Sequence, residues 1–321
     1  MADRVHRIIA ACRSQGPVGW RGPGPAGWHG QARFHASASV LAYPAKSPSH
    51  SPSPNTLGHA TARCAFTLVE LLTVVSIIAL LLAILLPSLR NAREQARTAV
   101  CGSNLRQIAL ANELYAADNQ QRYCPGAIEF MLKNLHRWHG TRDHASQPFD
   151  GRGGPLVPYL GPEGNIRACP SMRIDLPEDD QRRFEKNCGG YGYNLAFLGR
   201  QLEKVGGGWY RMMTDGSGAQ TDRVRCPAQT IMFTDSGFLD GMLIEYSFGE
   251  PRFFPLYGTR PIPSIHFRHN KRANVVWCDG HVDWQHRTFT RGPSPYYEGD
   301  PSRNNLGWFG IADDNRLFDL E

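Results

Sequence analysis

One uninterrupted apolar run constrains this chain more than any other feature. In residues 66–86 the only charged side chain is Glu70, and the other polar side chains are Thr67, Thr73 and Ser76. A helix of about 20 such residues crosses the ~30 Å hydrocarbon core of a bilayer. The run is apolar on every side rather than along one stripe, which predicts a helix surrounded by lipid or by other apolar helices. An ordinary secretory signal peptide has a shorter apolar part.

The 65 residues before this run have a different composition. Residues 14–62 consist mainly of Gly, Pro, Ser, His and Ala, and such a segment cannot bury enough apolar surface to offset its chain entropy. We therefore expect residues 1–65 to be a disordered basic leader. Two alternatives stay open: the leader is removed by cleavage, or part of it results from a wrongly chosen start codon.

The charge of the chain is concentrated in that leader. The formal net charge is +6, but residues 1–65 hold seven Lys and Arg against one Asp, which leaves 28 basic and 28 acidic side chains from residue 66 onward. A neutral domain lacks the basic surface that binds phosphate backbones. We therefore predict no nucleic-acid partner.

The helical pattern continues beyond the apolar run but becomes amphipathic. Four apolar residues recur at helical spacing among charged ones: Leu89, Ala92, Ala96 and Val100. Pro87 is expected to kink this helix rather than end it. Gly102 and Ser103 are a candidate break before a second apolar face. That face would contain Leu105, Ile108 and Tyr115. We predict a transmembrane and stalk helix over 66–118.

The rest of the chain, 119–321, reads as a domain with short strands separated by turns. Predicted strands are 230–234, 242–246, 273–278 and 281–284. Asp279-Gly280 lies between the last two and is typical of a two-residue hairpin turn. We expect an extracytoplasmic α+β domain whose antiparallel sheet packs on the stalk helix.

The residues just before and within the start of the apolar run form a specific motif, Arg63-Cys64-Ala65-Phe66-Thr67-Leu68-Val69-Glu70. It resembles the prepilin-type N-terminal cleavage and methylation motif of type IV pilins and type II secretion pseudopilins. By this resemblance a prepilin peptidase cuts between Ala65 and Phe66 and methylates the new amine of Phe66. Ala65 departs from the glycine that the family usually has there. The carboxylate of Glu70 would pair with the amine of a neighbouring subunit, which makes both charges tolerable in hydrocarbon.

The resemblance also implies a location and a function. It predicts a pilin-like fold and a non-enzymatic subunit of a type II secretion or type IV pilus-like fibre. Its partners would be the prepilin peptidase/N-methyltransferase, other pilin-like subunits and the inner membrane, with no cofactor. The N-terminus would be cytoplasmic and the domain periplasmic or at the cell surface. Three arginines after the apolar run favour the opposite orientation by the positive-inside rule, but we let the peptidase motif decide: Arg90, Arg93 and Arg97.

A second resemblance lies near the C-terminus. His269, nine further residues and Asp279-Gly280 are similar to the H-X9-DG domain that accompanies prepilin-type N-termini in planctomycete-like bacteria. The role of this motif is left open. Four further pieces look similar to the same family: Cys101-Gly102-Ser103-Asn104-Leu105-Arg106-Gln107-Ile108, Cys169-Pro170-Ser171, Tyr191-Gly192-Tyr193-Asn194 and Thr234-Asp235-Ser236.

The histidines around this hairpin raise the question of a metal site. His269, His281 and Asp283 are weak candidate ligands, and His281 and Asp283 would share one face of a strand. The favoured interpretation is no metal site, with Asp279 serving the turn. The six cysteines beyond residue 65 contain no C-x-x-C pair, and either disulfides or free buried thiols are compatible with them.

Two other functions remain as alternatives. An anchored extracytoplasmic binding or surface protein would use prepilin processing only for export. A metal-dependent enzyme is disfavoured, because the chain has no H-E-x-x-H, no G-x-S-x-G and no phosphate-binding loop with lysine.

Overall fold

A long helix and a set of short antiparallel strands are the main elements in the described part of the chain. The computed structural model describes residues 67–130, 132–161, 164, 166–174, 177, 180, 185–206, 209–293 and 297–321. The predicted leader, with the cleavage residues Ala65 and Phe66, lies outside the described residues. Helix α1 is continuous over Leu68–Asp118, a length of 51 residues. The α+β class predicted from the sequence is confirmed.

The first part of α1, residues 68–86, has exposed apolar side chains. Its large apolar side chains are between 46% (Val74) and 80% (Leu68) exposed. An 18-residue window of α1 has a mean hydropathy of 2.8 and no buried residue. By length and composition, α1 is therefore able to cross a membrane.

The last part of α1, residues 101–118, is packed into the domain. Eight of its residues are buried: Cys101, Asn104, Leu105, Ile108, Ala109, Ala111, Asn112 and Ala116. The predicted face through Leu105 and Ile108 is thus confirmed, and Tyr115 packs against it half-buried. The candidate break at Gly102 and Ser103 is wrong, because α1 continues through both residues.

Between these two parts the predicted packing face points outward. Leu89 and Val100 are 48% and 51% exposed, and Ala92 and Ala96 are also exposed. The side of α1 that contacts the domain here contains the Glu94 carboxylate, which accepts from Ser171 Oγ, and the backbone carbonyl of Thr98, which accepts from Asn274 Nδ2. Polar contacts therefore fix which side of α1 faces the domain over residues 89–100. The spacing of apolar residues alone could not reveal these contacts.

Thirteen short strands lie in the described part of the domain. In chain order they are β1 (Ala127–Ile128), β2 (His136–Arg137), β3 (Gly140–Thr141), β4 (Tyr191–Tyr193), β5 (Gln201–Gly206), β6 (Trp209–Thr214), β7 (Ile231–Asp235), β8 (Phe238–Asp240), β9 (Met242–Ile244), β10 (Ile265–His266), β11 (Arg272–Trp277), β12 (Val282–His286) and β13 (Leu306–Gly307).

The central sheet has four antiparallel strands in the order β12-β11-β7-β4. Strand β11 is buried on both faces, because its side chains alternate between two apolar clusters. Ala273, Val275 and Trp277 belong to the cluster on one face. Val276 belongs to the cluster that contains the buried residues of α1. The sheet therefore positions its residues against α1.

The four predicted strands correspond to β7, β9, β11 and β12, with ends shifted by one or two residues. Strands β11 and β12 form the predicted hairpin. Its turn has three residues rather than two: Trp277 pairs with His281, and Gly280 N donates to Trp277 O at 2.9 Å. Gly280 has a φ of +83°, so this is the longer turn in which a glycine bulge follows a turn.

Candidate functional site

The start of α1 is fixed by Thr67 and Glu70. Thr67 N and Thr67 Oγ1 donate to Glu70 Oε2 at 2.9 and 2.8 Å, and Glu70 N donates to Thr67 Oγ1 at 3.2 Å. These reciprocal bonds are a capping box, in which both side chains satisfy amides at the helix terminus. The sequence Thr-x-x-Glu carries this signal, and our sequence interpretation missed it.

The capping box gives Glu70 a local role besides the predicted charge pairing. Both residues are exposed in the chain. Glutamine also serves at the third helical position of a capping box. A carboxamide could therefore replace the carboxylate in the cap, whereas it could not neutralise an amine. The two roles of Glu70 can be separated by that substitution.

The H-X9-DG motif spans one strand and its two turns. His269 precedes β11 in a two-residue turn whose central residues, Asn270 and Lys271, have φ of 51° and 63°. His269 N donates to Arg272 O at 2.9 Å, and Arg272 N donates back at 3.0 Å. The Asp-Gly pair follows the other end of the strand. The nine residues between His269 and Asp279 are thus β11 and its flanking turn residues. His269 lies in the turn before β11, and Asp279-Gly280 lies in the turn after it.

Asp279 has a local partner, His281. Its Oδ1 accepts from His281 N at 3.0 Å and contacts His281 Nδ1 at 2.6 Å. The imidazole of His281 stacks on Trp277 with ring centroids 5.7 Å apart. Asp283 accepts from Trp277 Nε1 at 3.0 Å. His281 and Asp283 are therefore engaged within the hairpin.

His269 belongs to a buried group that our sequence interpretation did not assemble. In the described residues, one set of His, Cys, Asp and Glu side chains offers ligand atoms within 4.8 Å of one another, and it consists of Cys101, Cys169, Asp235 and His269. We call these four residues the Cys–His cluster. All four are buried. The candidates His281 and Asp283 are not members of it.

Four separate parts of the chain supply the Cys–His cluster. Cys101 lies on α1, and Asp235 is the last residue of β7. Cys169 lies in a loop, where its N–H donates to Gly189 O at 2.9 Å. His269 lies in the turn before β11. The packing of α1 on the sheet brings these segments together.

Hydrogen bonds link the members of the cluster. Cys101 Sγ donates to Asp235 Oδ1 at 3.0 Å. His269 Nε2 lies 3.4 Å from Cys169 Sγ and 3.4 Å from Asp235 Oδ2. One ring nitrogen of His269 therefore faces both a sulfur and a carboxylate.

A shell of further side chains orients the cluster. His269 Nδ1 lies 3.0 Å from Glu94 Oε1, which also accepts from Ser171 Oγ at 2.9 Å. Asp235 Oδ1 accepts from Arg268 Nη2 at 2.8 Å, and Asp235 Oδ2 accepts from Asn274 N at 2.7 Å. The outer nitrogen of His269 is thus bound by a carboxylate, and Asp235 is held at both oxygens.

The surroundings shift the pKa values of the two thiols in opposite directions. Burial raises the pKa of the Cys101 thiol well above its usual range. The hydrogen bond with Cys101 lowers the pKa of Cys169, and the nearby Arg268 charge lowers it further. Burial opposes ionisation of His269, but the contact with Cys169 and the charge of Asp235 together raise its pKa. The two thiols of the cluster are therefore shifted in opposite directions, with the pKa of Cys101 raised and the pKa of Cys169 lowered.

A surface groove of ≈ 600 Å³ lies beside the cluster. His269 lines it together with residues of α1, β11 and β12. Among these, Arg272 stacks its guanidinium on Trp284 at 4.1 Å from the ring centroid. His269 is the one member of the cluster that lines this groove, and its side chain has no exposed surface.

The other three members of the Cys–His cluster were not predicted as ligands, although each lies in a short piece of sequence whose similarity to the H-X9-DG proteins is an expectation from the sequence. Cys101, Cys169 and Asp235 come from the pieces beginning at Cys101, Cys169 and Thr234. Their spacing follows no local metal-binding pattern. The available signal was that several short pieces each contain one chemically reactive side chain. Five cysteines of the described chain are buried free thiols: Cys101, Cys124, Cys169, Cys188 and Cys278.

Comparison with known proteins adds no assignment, since no protein-family model, curated protein or solved structure matches this chain.

Proposed function

We propose that this chain is a non-enzymatic pilin- or pseudopilin-like subunit. A prepilin peptidase removes the leader after Ala65 and methylates Phe66. The apolar part of α1 anchors the protein in the inner membrane, with its domain outside the cytoplasm. The subunit then assembles beside other pilin-like subunits in a type II secretion or type IV pilus-like fibre.

The observation that carries this proposal is the division of one continuous helix into two environments. Residues 68–86 of α1 are exposed and apolar, and residues 101–118 are packed under a sheet. A helix with this division serves two purposes: its first part associates with lipid or other helices, and its second part carries a folded domain. The prepilin-type motif immediately before α1 supports the same interpretation.

An exposed apolar stripe extends along the outer side of α1 beyond the membrane segment. Leu89, Ala96, Val100 and Leu114 are separated by 7, 4 and 14 residues, which are close to two, one and four helical turns and place them on one face of the helix. Leu110 lies beside this face, and Leu110 and Leu114 are 58% and 46% exposed. The buried residues of α1 occupy a different face. In the proposed fibre this stripe contacts the α1 helices of neighbouring subunits.

Processing is tested first, with the full chain produced in cells that contain a prepilin peptidase. Intact-mass and N-terminal analysis should find a chain that begins with methylated Phe66. Ala65→Phe should retain the leader because the peptidase requires a small residue before the cut. Ala60→Phe changes the leader away from the junction and is the matched control. A wild-type protein that keeps residues 1–65 in such cells contradicts the proposal.

Assembly is tested by separating charge from capping at Glu70. Glu70→Gln keeps an acceptor for the capping box but loses the charge that pairs with a neighbouring amine. Thr67→Val does the reverse: it removes the hydroxyl of the cap and retains the carboxylate. Incorporation is measured by chemical cross-linking between copies through Val100→Cys, in a chain whose described free cysteines are buried.

The charge-pairing hypothesis predicts that Glu70→Gln loses intersubunit cross-links while membrane insertion is unchanged. Thr67→Val should largely retain the cross-links. Equal cross-linking of wild type and Glu70→Gln contradicts charge pairing. Loss only in Thr67→Val assigns the motif residue to helix capping.

An anchored binding protein is the second candidate, and the groove beside His269 favours it. A groove of ≈ 600 Å³ is within the size range of small-molecule sites. In this case the processed protein would remain a single unit in the membrane. Absence of cross-links in processed wild-type protein would support this second candidate over the fibre subunit.

A further inference from the structure

We propose that the Cys–His cluster is a structural binding site for one zinc ion. Cys101, Cys169, Asp235 and His269 would each donate one ligand atom, and the ion would join α1 to the central sheet. This inference concerns the domain and is independent of whether the chain assembles into a fibre.

The separations between ligand atoms fit a four-coordinate ion. Zn–S and Zn–N bonds of about 2.3 and 2.0–2.1 Å place ligand atoms about 3.3–3.8 Å apart at the corners of a tetrahedron. His269 Nε2 lies 3.4 Å from both Cys169 Sγ and Asp235 Oδ2. The largest separation in the cluster is at most 4.8 Å. A small inward shift of the side chains therefore completes the coordination.

The contacts outside the cluster resemble those around bound zinc. A histidine that binds a metal through one nitrogen usually donates its other N–H to a carboxylate or carbonyl. His269 does this: Nδ1 contacts Glu94, and Nε2 faces the cluster. Glu94 is in turn held by Ser171. The ring is thereby fixed in the orientation in which Nε2 is the ligand atom.

Asp235 is oriented in the same way. Its Oδ1 is paired with Arg268, and its Oδ2 accepts from the backbone of Asn274 and points toward His269. Asp235 Oδ2 would be the ligand atom. The carboxylate is held in place by Arg268 and Asn274 without an ion, as expected for a preformed site.

The buried charges balance when a divalent ion is added. Two thiolates and one carboxylate carry three negative charges, and a zinc ion brings two positive ones. Arg268 supplies the third, since its side chain is only 3% exposed and contacts Asp235, which is fully buried. Arg268 is already paired with Asp235, so the two charges of the ion would offset the two thiolates that form when it binds. Zinc binding with loss of both thiol protons gives a neutral interior.

The donor set identifies the chemical class of the ion. Two sulfurs, one imidazole and one carboxylate in a tetrahedral arrangement suit zinc better than calcium or magnesium, which prefer oxygen ligands. The four protein ligands leave no position for substrate, which is typical of structural rather than catalytic zinc. The ion would connect four segments that are distant in sequence.

A disulfide between Cys101 and Cys169 is the competing chemistry for the same two sulfurs. It would use only two members of the cluster. It would also leave Nε2 of His269 and Oδ2 of Asp235 directed at a neutral disulfide. Zinc uses all four groups, which is why we favour it.

The test uses the full chain, purified in detergent without chelators. Zinc content by mass spectrometry of the elements should be about one ion per chain for wild type, as for a structural zinc site. Cys169→Ser and Asp235→Asn should lower it at least about tenfold after dialysis, because each removes a ligand. Cys124→Ser is the matched control, since Cys124 is an equally buried free thiol outside the cluster, and it should retain the ion.

Glu94→Gln changes the contact between Glu94 and Nδ1 of His269 and leaves all four ligands in place. It should weaken zinc affinity about 10–100-fold, as measured by competition with a chromophoric chelator. An affinity equal to that of wild type would contradict the role of Glu94 in orienting His269.

Cobalt provides a measurement that does not depend on whether variants fold. Reduced, metal-free wild-type protein titrated with Co²⁺ should develop a sulfur-to-cobalt charge-transfer band and the intense visible bands of tetrahedral coordination. Failure to bind Zn²⁺ and Co²⁺, or a weak octahedral spectrum, would overturn the proposal. So would alkylation and intact-mass analysis that find Cys101 and Cys169 joined by a disulfide in protein isolated from its cellular compartment.

Discussion

Two segments of α1 belong to one helix but differ in how far their side chains are buried. Residues 68–86 expose their apolar side chains on every side, and no residue of the most apolar window is buried. Residues 101–118 bury Leu105 and Ile108 together with two asparagines. The first segment is uniform and needs no particular partner, whereas the second contains polar groups with specific partners. A substitution in the second segment should therefore change the stability of the domain. A substitution in the first should leave that stability unchanged.

The buried segment is held to the sheet by hydrogen bonds between side chains as well as by apolar packing. Asn104 Nδ2 donates to Tyr191 Oη at 3.0 Å, and Asn112 Nδ2 donates to Tyr193 Oη at 3.2 Å. Both tyrosines are on β4. Gly192 lies between them, where an added Cβ would come within 2.5 Å of the Phe248 backbone. These contacts fix the rotation of α1 over the sheet.

The largest effect is expected from Leu105→Ala. Leu105 is fully buried, so truncation should leave a cavity and lower the free energy of unfolding by about 3 kcal/mol. Urea unfolding of the full chain in micelles, followed by tryptophan fluorescence, measures this change. Leu110→Ala removes the same atoms from the same helix at a 58% exposed position and should change stability by less than about 0.5 kcal/mol. Equal effects would contradict the division of α1.

A smaller loss is expected from Asn112→Ala. Asn112 Oδ1 accepts from Cys124 N at 2.9 Å, and its truncation leaves that buried N–H without a partner. The free energy of unfolding should fall by about 1–3 kcal/mol in the same urea experiment. Gln107→Ala shortens an exposed amide on α1 and is the control. An unchanged unfolding midpoint for Asn112→Ala would show that apolar contacts alone hold α1.

The two segments also differ in how well their roles could be predicted. The apolar segment is visible in composition alone, since a run of about 20 successive apolar side chains is long enough for a helix that crosses a bilayer. The buried segment was predicted through Leu105 and Ile108, whose spacing indicates one face. The outward direction of Leu89 and Val100 could not be predicted, because the opposite side of α1 meets polar partners from distant segments, at the Glu94 carboxylate and at the backbone carbonyl of Thr98.

For the Cys–His cluster, even less could be predicted from the sequence. His269 was recognised as part of a motif, and Asp279 and Gly280 were correctly placed at a hairpin turn. The partners of His269 lie on α1, in a loop and at the end of β7. Local spacing contains no information on contacts between such distant positions. The alternation of β12 also suggested His281 and Asp283 as ligands, but their nearest partners are inside the hairpin.

A modest, local effect is expected from Thr67→Ala in the apolar segment. Loss of the capping hydroxyl should destabilise the first helical turn by about 1 kcal/mol. Hydrogen exchange of the amides of residues 68–71 in micelles should accelerate, while the urea midpoint of the domain stays unchanged. Thr67→Ser retains the hydroxyl and should exchange like wild type. A shifted domain midpoint in Thr67→Ala would mean that the two segments are energetically coupled.

The smallest effect is expected from Glu113→Gln, and it should appear as a change in pH dependence. Burial raises the pKa of the Glu113 carboxyl, an effect partly offset by the hydrogen bond from Tyr123 Oη at 3.1 Å. The folded state therefore holds this proton to higher pH than the unfolded state, so stability falls as the pH rises from the unfolded pKa through the raised folded pKa.

Glutamine keeps the acceptor for Tyr123 but does not ionise. The variant should match wild type at pH values below the unfolded pKa of the carboxyl and become the more stable protein as the pH rises. Urea midpoints measured across the acidic range test this sign. A difference that is independent of pH would show that the carboxyl of Glu113 is as solvated as a group on the exposed segment. A difference that favours wild type at neutral pH would show that the folded domain stabilises the carboxylate. Either result would contradict the raised pKa of Glu113 and would mean that the packed segment of α1 also has a polar or solvated side.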